Sequence, residues 1–280
     1  MIWWTHERAT QPAGRADGGR IDGANLAAQA NAIWPQEEHF FQRYTLPREA
    51  RIADIGCGSG EITVRLASRY PDATIVGVDI LESSVAYAQG HHVALAPRVH
   101  FERGDAFELN FPDNQFDLVV CRHMTQSIPE PQRVLAELRR ICRPGGWIHV
   151  LSEDYAMIHV PAGALDPDRL WHEAVIPYTQ STGTDARVGR RTWAFMNQLG
   201  IEALRVDHVI VDTVRVRRET FAAIIEAWRD GYAEALAAHS TLGFDEVRAL
   251  FDYCIATILD PRQYSAWHIP IVSGRKEPTR

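Results

Sequence analysis

No stretch of this chain approaches the roughly 18 consecutive apolar residues that a membrane-crossing helix needs, so a membrane partner is not expected. Cysteine is scarce. Cys57, Cys121, Cys142 and Cys254 are scattered, without a C-x-x-C pair or Cys/His metal spacing. That pattern argues against a disulfide framework and a metal site, and it fits a reduced, cytoplasmic compartment. An excess of positive charge is also lacking: 29 Lys and Arg face 36 Asp and Glu, a net charge of −7. No global basic field therefore recruits nucleic acid. The basic pairs Arg139-Arg140, Arg190-Arg191 and Arg217-Arg218 read as solvated helix faces or strand ends. The opening Met1-Ile-Trp-Trp-Thr-His-Glu-Arg8 lacks the apolar core of a secretory signal. Internal repeats and low-complexity segments are missing too.

What is present is an ordinary apolar fraction, 46%, enough for a full core. Residues 8–24 read as a mobile leader, followed by an arm helix from Asn25 to Tyr44, redirected at Trp34-Pro35. From Arg51 onward short apolar strands alternate with helices. The strands are expected over Arg51–Ile55, Thr74–Val78, Val99–Glu102, Phe116–Cys121 and Gly146–Leu151. Helices are expected over Ile62–Tyr70, Ser83–His92 and Pro131–Cys142. This alternation implies a doubly wound α/β fold with a mostly parallel sheet. Residues 155–187, broken by Pro161, Pro167 and Pro177, look like an insertion. A helix over Val188–Gly200, a strand over Ala203–Val216, helices over Glu219–His239 and Phe244–Leu259, and a last strand over Tyr264–Ser273 complete the pattern. The division is a leader and arm over 1–45 and one domain over 46–280, with cap insertions at about 155–187 and 217–262.

The most informative run is Asp54-Ile-Gly56-Cys57-Gly58-Ser-Gly60, a glycine-rich turn between a strand and a helix. Such a turn brings bare backbone up to a ligand at a helix N-terminus. A dinucleotide fingerprint would need G-x-G-x-x-G, but position 61 is Glu. Further candidates fall at the C-terminal ends of later strands, where a parallel sheet assembles its ligand site. Asp79, followed by Ile80, can accept from ribose hydroxyls; Gly104-Asp105-Ala106 can meet an adenine edge; Arg122-His123 faces the space beside them.

Together with Phe116-Asp-Leu-Val-Val-Cys121 and Leu138-Arg-Arg-Ile-Cys-Arg-Pro-Gly-Gly-Trp147, these residues resemble the class I S-adenosylmethionine-dependent methyltransferases over residues 46–154. The resemblance implies a seven-stranded sheet closed by an antiparallel strand pair. It also implies S-adenosylmethionine as cofactor, with the methionyl end over Gly56–Gly60 near Asp54, ribose on Asp79, and adenine on Asp105-Ala106. An NAD-binding Rossmann oxidoreductase or epimerase stays open beside it, as does a non-catalytic ligand-binding module.

Methyl transfer needs an acceptor atom held in line, and a base only where the acceptor loses a proton. His123 is the candidate base. Asp154 and Tyr155, ending the fifth strand, are further catalytic candidates. The segment Arg122-His-Met-Thr-Gln126 lacks the Asn/Asp-Pro-Pro-Tyr tetrapeptide of many amino-methylating members. It resembles small-molecule O-, C- and N-methyltransferases instead, which suggests a partly apolar organic acceptor. Trp34, Gln126, His159, Trp171, His172 and Trp228 are the substrate candidates. A homodimer is the assembly considered.

Overall fold

The computed structural model describes residues 29–278; the leader and the start of the arm helix lie outside the described residues. Helix α1, over 29–37, runs on through Pro35 and only then tightens into a 3-10 turn, Glu38–Arg43. Strand β1, Arg51–Ile55, leads through the glycine turn into α2, Glu61–Arg69. The turn is specified sterically. Gly60, the residue before α2, has φ +83°, and a Cβ there would lie 2.7 Å from the Phe101 ring.

Alternation continues with β2 (Thr74–Asp79), α3 (Glu82–His91), β3 (Val99–Arg103), β4 (Phe116–Arg122), α4 (Pro131–Ile141) and β5 (Cys142–Leu151). These five strands pair in parallel in the order β3-β2-β1-β4-β5, so chain order reverses between β1 and β4. Period-two packing serves two cores. Ile52, Leu118 and Val120 face Leu66 of α2 and Val85 of α3, while Ala53, Val119 and Cys121 face Val134 and Leu138 of α4. Every residue of β4 is buried, as expected for a central parallel strand.

The sheet has eight strands rather than seven. The additional one is β6, Ile158–His159, which pairs with the start of β8, Ala266–Lys276. Strand β8 runs antiparallel between β5 and β7, Ile201–Asp212. Three boundaries differ from expectation for local reasons. β5 begins at Cys142 because Arg143–Gly146 forms an irregularity opposite Asp117. β7 stops at Asp212, whose Oδ1 accepts from the amides of Val214 and Arg215 at 2.8 and 2.6 Å and turns the chain. β8 runs on to Lys276, where Nζ donates to the carbonyl oxygens of Arg139 and Cys142.

The segments after β5 share one core with β7 and β8. The insertion contributes a π-helical turn, Leu170–Val175, running into α5, Ile176–Ser181. Pro177 has no N–H for the Glu173 carbonyl, so the ladder widens just before it. Helix α6, Gly189–Gln198, returns to the sheet, and α7 (Arg218–Ala238) packs on α8 (Phe244–Leu259). Trp171, Phe221, Trp228, Phe251 and Trp267 fill the space between these helices and the sheet edge.

A buried polar network joins α1 to the sheet. Arg122 at the end of β4 donates from Nε and Nη2 to Glu37 at 2.7 and 2.6 Å. His149 Nε2 lies 2.9 Å from the same carboxylate, and its Nδ1 lies 2.6 Å from the Tyr44 hydroxyl. Burial pushes the Glu37 carboxyl up, but Arg122 and His149 outweigh it and bring the pKa down from 4.5 to about 2. Its stabilising contribution is therefore present above pH 4.5 and lost as pH falls toward 2. Glu37→Gln leaves a buried guanidinium uncompensated and should lower unfolding stability in urea by about 3 kcal/mol. The exposed Glu49→Gln should shift it by less than about 0.5 kcal/mol.

Candidate functional site

The strand-order reversal opens a cleft of about 1360 Å³, counting its open mouth, above the C-terminal ends of β1, β2 and β4. Its floor is the glycine turn. Gly56 and Cys57 donate their amides to the Val78 carbonyl at 2.8 and 3.0 Å, which ties the turn to the end of β2. Gly56, Gly58 and Gly60 all have positive φ. Asp79 holds both sides of the cleft, accepting from the Gly58 amide and the Leu81 amide at 2.9 Å each. Carboxylate oxygens keep further lone pairs after such bonds.

Asp54 lies deeper and is fully buried. Burial raises its pKa from 3.8 to about 6, against a 2.6 Å hydrogen bond from Thr63 Oγ1 and the positive field of Arg122. At the end of β3, Gly104 lines the cleft with Asp105 and Ala106, and Asp105 Oδ1 accepts from the Phe107 amide at 2.9 Å. Cys57 and Ile80 also line it; burial holds the Cys57 thiol protonated, its pKa pushed well up. Two further hydroxyls, Ser59 Oγ and Ser127 Oγ, are buried on the cleft without a hydrogen-bond partner among the described residues. Bare backbone, three carboxylates and unsatisfied hydroxyls make a cradle for a polar, nucleoside-like group.

At the far wall stands His123, with φ +53°, an unusual conformation for a residue with a side chain. Its amide donates to the Leu151 carbonyl at 3.0 Å, and its own carbonyl accepts from Gln126 Nε2 at 2.8 Å. The imidazole Nδ1 is hydrogen-bonded to Glu153 Oε1, a fully buried carboxylate at the end of β5. A carboxylate accepts, so Nδ1 is the donor of this pair. Nε2 is buried and has no partner among the described residues. Gly189 makes this arrangement possible: a Cβ there would fall 2.7 Å from the Ser152 carbonyl and 2.9 Å from that of Glu153.

The structure sorts the remaining candidates. Arg122 lines the cleft, but its guanidinium is engaged by Glu37, so it reaches a ligand only through the wall it holds. Asp154 is paired with Arg190 at 2.5 and 2.9 Å and accepts from the Ala156 amide, and it does not line the cleft. Trp34 packs on Phe41 in the β1–β2 core, and His159 and His172 are exposed; none of these three lines a cavity described here. Gln126 supports the His123 backbone. Tyr155, Trp171 and Trp228 meet in the cap around a second, smaller cavity.

Glu37 of the arm and Glu153 at the end of β5 are visible in the sequence, but their pairing with Arg122, His149 and His123 is not. Their only signal is a charged or polar residue on a face that is otherwise apolar.

The sequence model of a family described as "Methyltransferase domain" matches residues 52–146. The chain is similar to a trans-aconitate 2-methyltransferase of Deinococcus radiodurans, 39% identical over 101 residues that cover 36% of this chain and 37% of that protein. It is also similar to the 27-O-demethylrifamycin SV methyltransferase of Amycolatopsis mediterranei, 35% identical over 115 residues, covering 40% and 41%. The chain thus spans about two fifths of the length of these curated relatives. Among solved structures it is similar to phosphoethanolamine N-methyltransferase 2 of Haemonchus contortus in complex with phosphomonomethylethanolamine and S-adenosylhomocysteine. That likeness has a TM-score of 0.57 at 18% identity, over 91% of this chain and 57% of the other, and is one of fold.

The Asp54 environment has a measurable signature. A raised carboxyl pKa contributes stability that is present below 3.8 and lost as pH rises through about 6. Asp54→Asn should therefore raise Tm near neutral pH, with the gain vanishing below 3.8. Carbon-detected NMR should place the Asp54 midpoint near 6, and Thr63→Val should move it higher.

Proposed function

We propose that this chain, which carries a class I S-adenosylmethionine-dependent methyltransferase domain, methylates a small, partly apolar organic acceptor with His123 as general base. The observation that supports the reading is the His123–Glu153 pair: His123 lines the cleft, and its buried Nε2 has no hydrogen-bond partner among the described residues.

The cleft suits the donor. Gly56, Cys57, Gly58 and Gly60 would lie under its methionyl end, with Asp54 below as a buried negative charge. Asp79 would accept from the ribose, Gly104-Asp105-Ala106 would meet the adenine edge, and Ile80 its face. When bound, the sulfonium supplies an electrophilic methyl carbon. The protein's own work is to position and to move a proton. Glu153 fixes the imidazole in the tautomer that leaves Nε2 unprotonated, as a carboxylate does for histidine in other base-assisted transfers. Nε2 then takes the proton of an acceptor hydroxyl as its oxygen gains the methyl group. The cap segments 155–187 and 217–262 keep water from the junction.

The printed names of the relatives, trans-aconitate and 27-O-demethylrifamycin SV among them, support the small-molecule class and no single compound. A silent ligand-binding module would have no use for an oriented base, and Glu61 at the third fingerprint position argues against NAD. Four unpaired thiols fit a cytoplasmic location, and the acidic net charge disfavours a nucleic-acid partner. A homodimer is the assembly to look for by light scattering.

Incubation with methyl-labelled donor and metabolite extract should transfer label to an organic acceptor; label that stays wholly on the donor in every extract argues against catalysis. His123→Ala should lower kcat by about two to four orders of magnitude while leaving S-adenosylhomocysteine affinity unchanged. Added imidazole should restore part of the rate. Undiminished turnover in this variant would remove His123 as the base.

A further inference from the structure

Arg122 is the only Lys or Arg among the described residues that line the cleft; the carboxylates Asp54, Glu61, Asp79 and Asp105 line it as well. A guanidinium on this wall opposes a cationic ligand unless its charge is matched. The match comes from the arm. Both Glu37 oxygens accept from Arg122 in two-pronged geometry, with the Arg122 side chain 6% exposed and that of Glu37 0%. Glu37 itself does not line the cleft, so it acts on a ligand only through the charge it cancels.

The arm holds Glu37 in place from both sides. Gln36 exchanges two hydrogen bonds with the backbone of Ile210, at 2.8 and 3.1 Å, and Arg43 pairs with Asp207 at 2.5 Å. Nearer the start of the arm, Asn31 accepts from Arg65 at 2.8 Å, and Gln29 and Ala30 line the cleft. The fields of both members of the pair reach the cleft wall. Arg122 draws the Asp54 carboxyl down while Glu37 pushes it up. A buried pair of this kind is screened little by salt.

We propose that Glu37, acting through Arg122, is the positioning residue that fits the cleft to a sulfonium, and that it thereby favours the cationic donor over the neutral thioether left by transfer. This rests on the methyltransferase reading. S-adenosylmethionine and S-adenosylhomocysteine differ by one methyl group and one positive charge, so their comparison isolates the charge. Its loss on transfer then loosens the hold of the cleft on the product.

The test is calorimetry of both ligands on the full chain, with circular dichroism checking the fold of each variant. The unaltered chain should bind S-adenosylmethionine no more than about tenfold more weakly than S-adenosylhomocysteine. Glu37→Gln leaves Arg122 unmatched and should weaken S-adenosylmethionine roughly tenfold more than S-adenosylhomocysteine. Arg122→Gln leaves the carboxylate and should move the ratio the other way, by about threefold or more. The double variant Glu37→Gln/Arg122→Gln has neither charge and should return to the ratio of the unaltered chain. A merely structural role would weaken both ligands alike. Equal changes for both ligands in the single variants overturn the proposal, as does a preference for the thioether beyond about tenfold in the unaltered chain. Where one single variant does not fold, the other and the unaltered chain decide. If the folded, unaltered chain binds neither ligand, the methyltransferase reading falls and the proposal with it. Binding of both with a ratio that no variant moves overturns the proposal alone.

Discussion

The reversal of strand order between β1 and β4 is the constraint from which the rest of the molecule follows. The crossover after β1 leads to β2 on one side, while β4 lies on the other, so the loops leaving β1 and β4 diverge. The gap between them cannot be filled by a local hairpin. On one rim it exposes the glycine turn, and on the other it fixes Arg122 and His123. The α1 arm reaches the rim through Glu37, and the cap reaches it through Glu153 and Tyr155. Each later element therefore closes on the space that the sheet topology leaves.

Three fully buried carboxylates around this gap have different fates because their partners differ. Glu37 meets a guanidinium in two-pronged geometry and an imidazole as well, and its charge is stabilised. Asp54 has one hydroxyl donor and only a distant share of Arg122, so burial dominates. Glu153 meets the imidazole Nδ1 of His123. The first fastens the arm, the second is held at a cost to stability near neutral pH, and the third is hydrogen-bonded to the imidazole of His123. Carboxylates with such separate environments divide structural and chemical tasks without further machinery.

Much of this was legible in sequence because parallel strands buried on both faces read as plain apolar runs. The five parallel strands and the glycine turn fall within a few residues of expectation for that reason. The ends of the cap strands were less legible, since Asp212 stops β7 through side-chain bonds that no periodicity encodes. Strand β6 is only two residues long and exists because β8 offers it an edge. Among the candidate residues, the turn glycines and strand-end carboxylates line one cleft, a placement that general rules of parallel sheets make readable. Trp34, Asp154, His159 and His172 are candidates by residue type and position, and in the fold Trp34 packs on Phe41, Asp154 pairs with Arg190, and His159 and His172 are exposed. Glu153 pairs with His123 across thirty residues, a contact that sequence spacing does not announce.

The π-helical turn at Leu170–Val175 has a consequence for how this cap diversifies. Such a turn holds one residue more than an α-helical turn of the same span, and each residue rotates the chain by about 100°. Removing a single residue there would restore the regular ladder and swing Trp171 away from its neighbours without altering any other side chain. A one-residue deletion, rather than a substitution, is then the smallest change that would reshape this interior on an unchanged sheet.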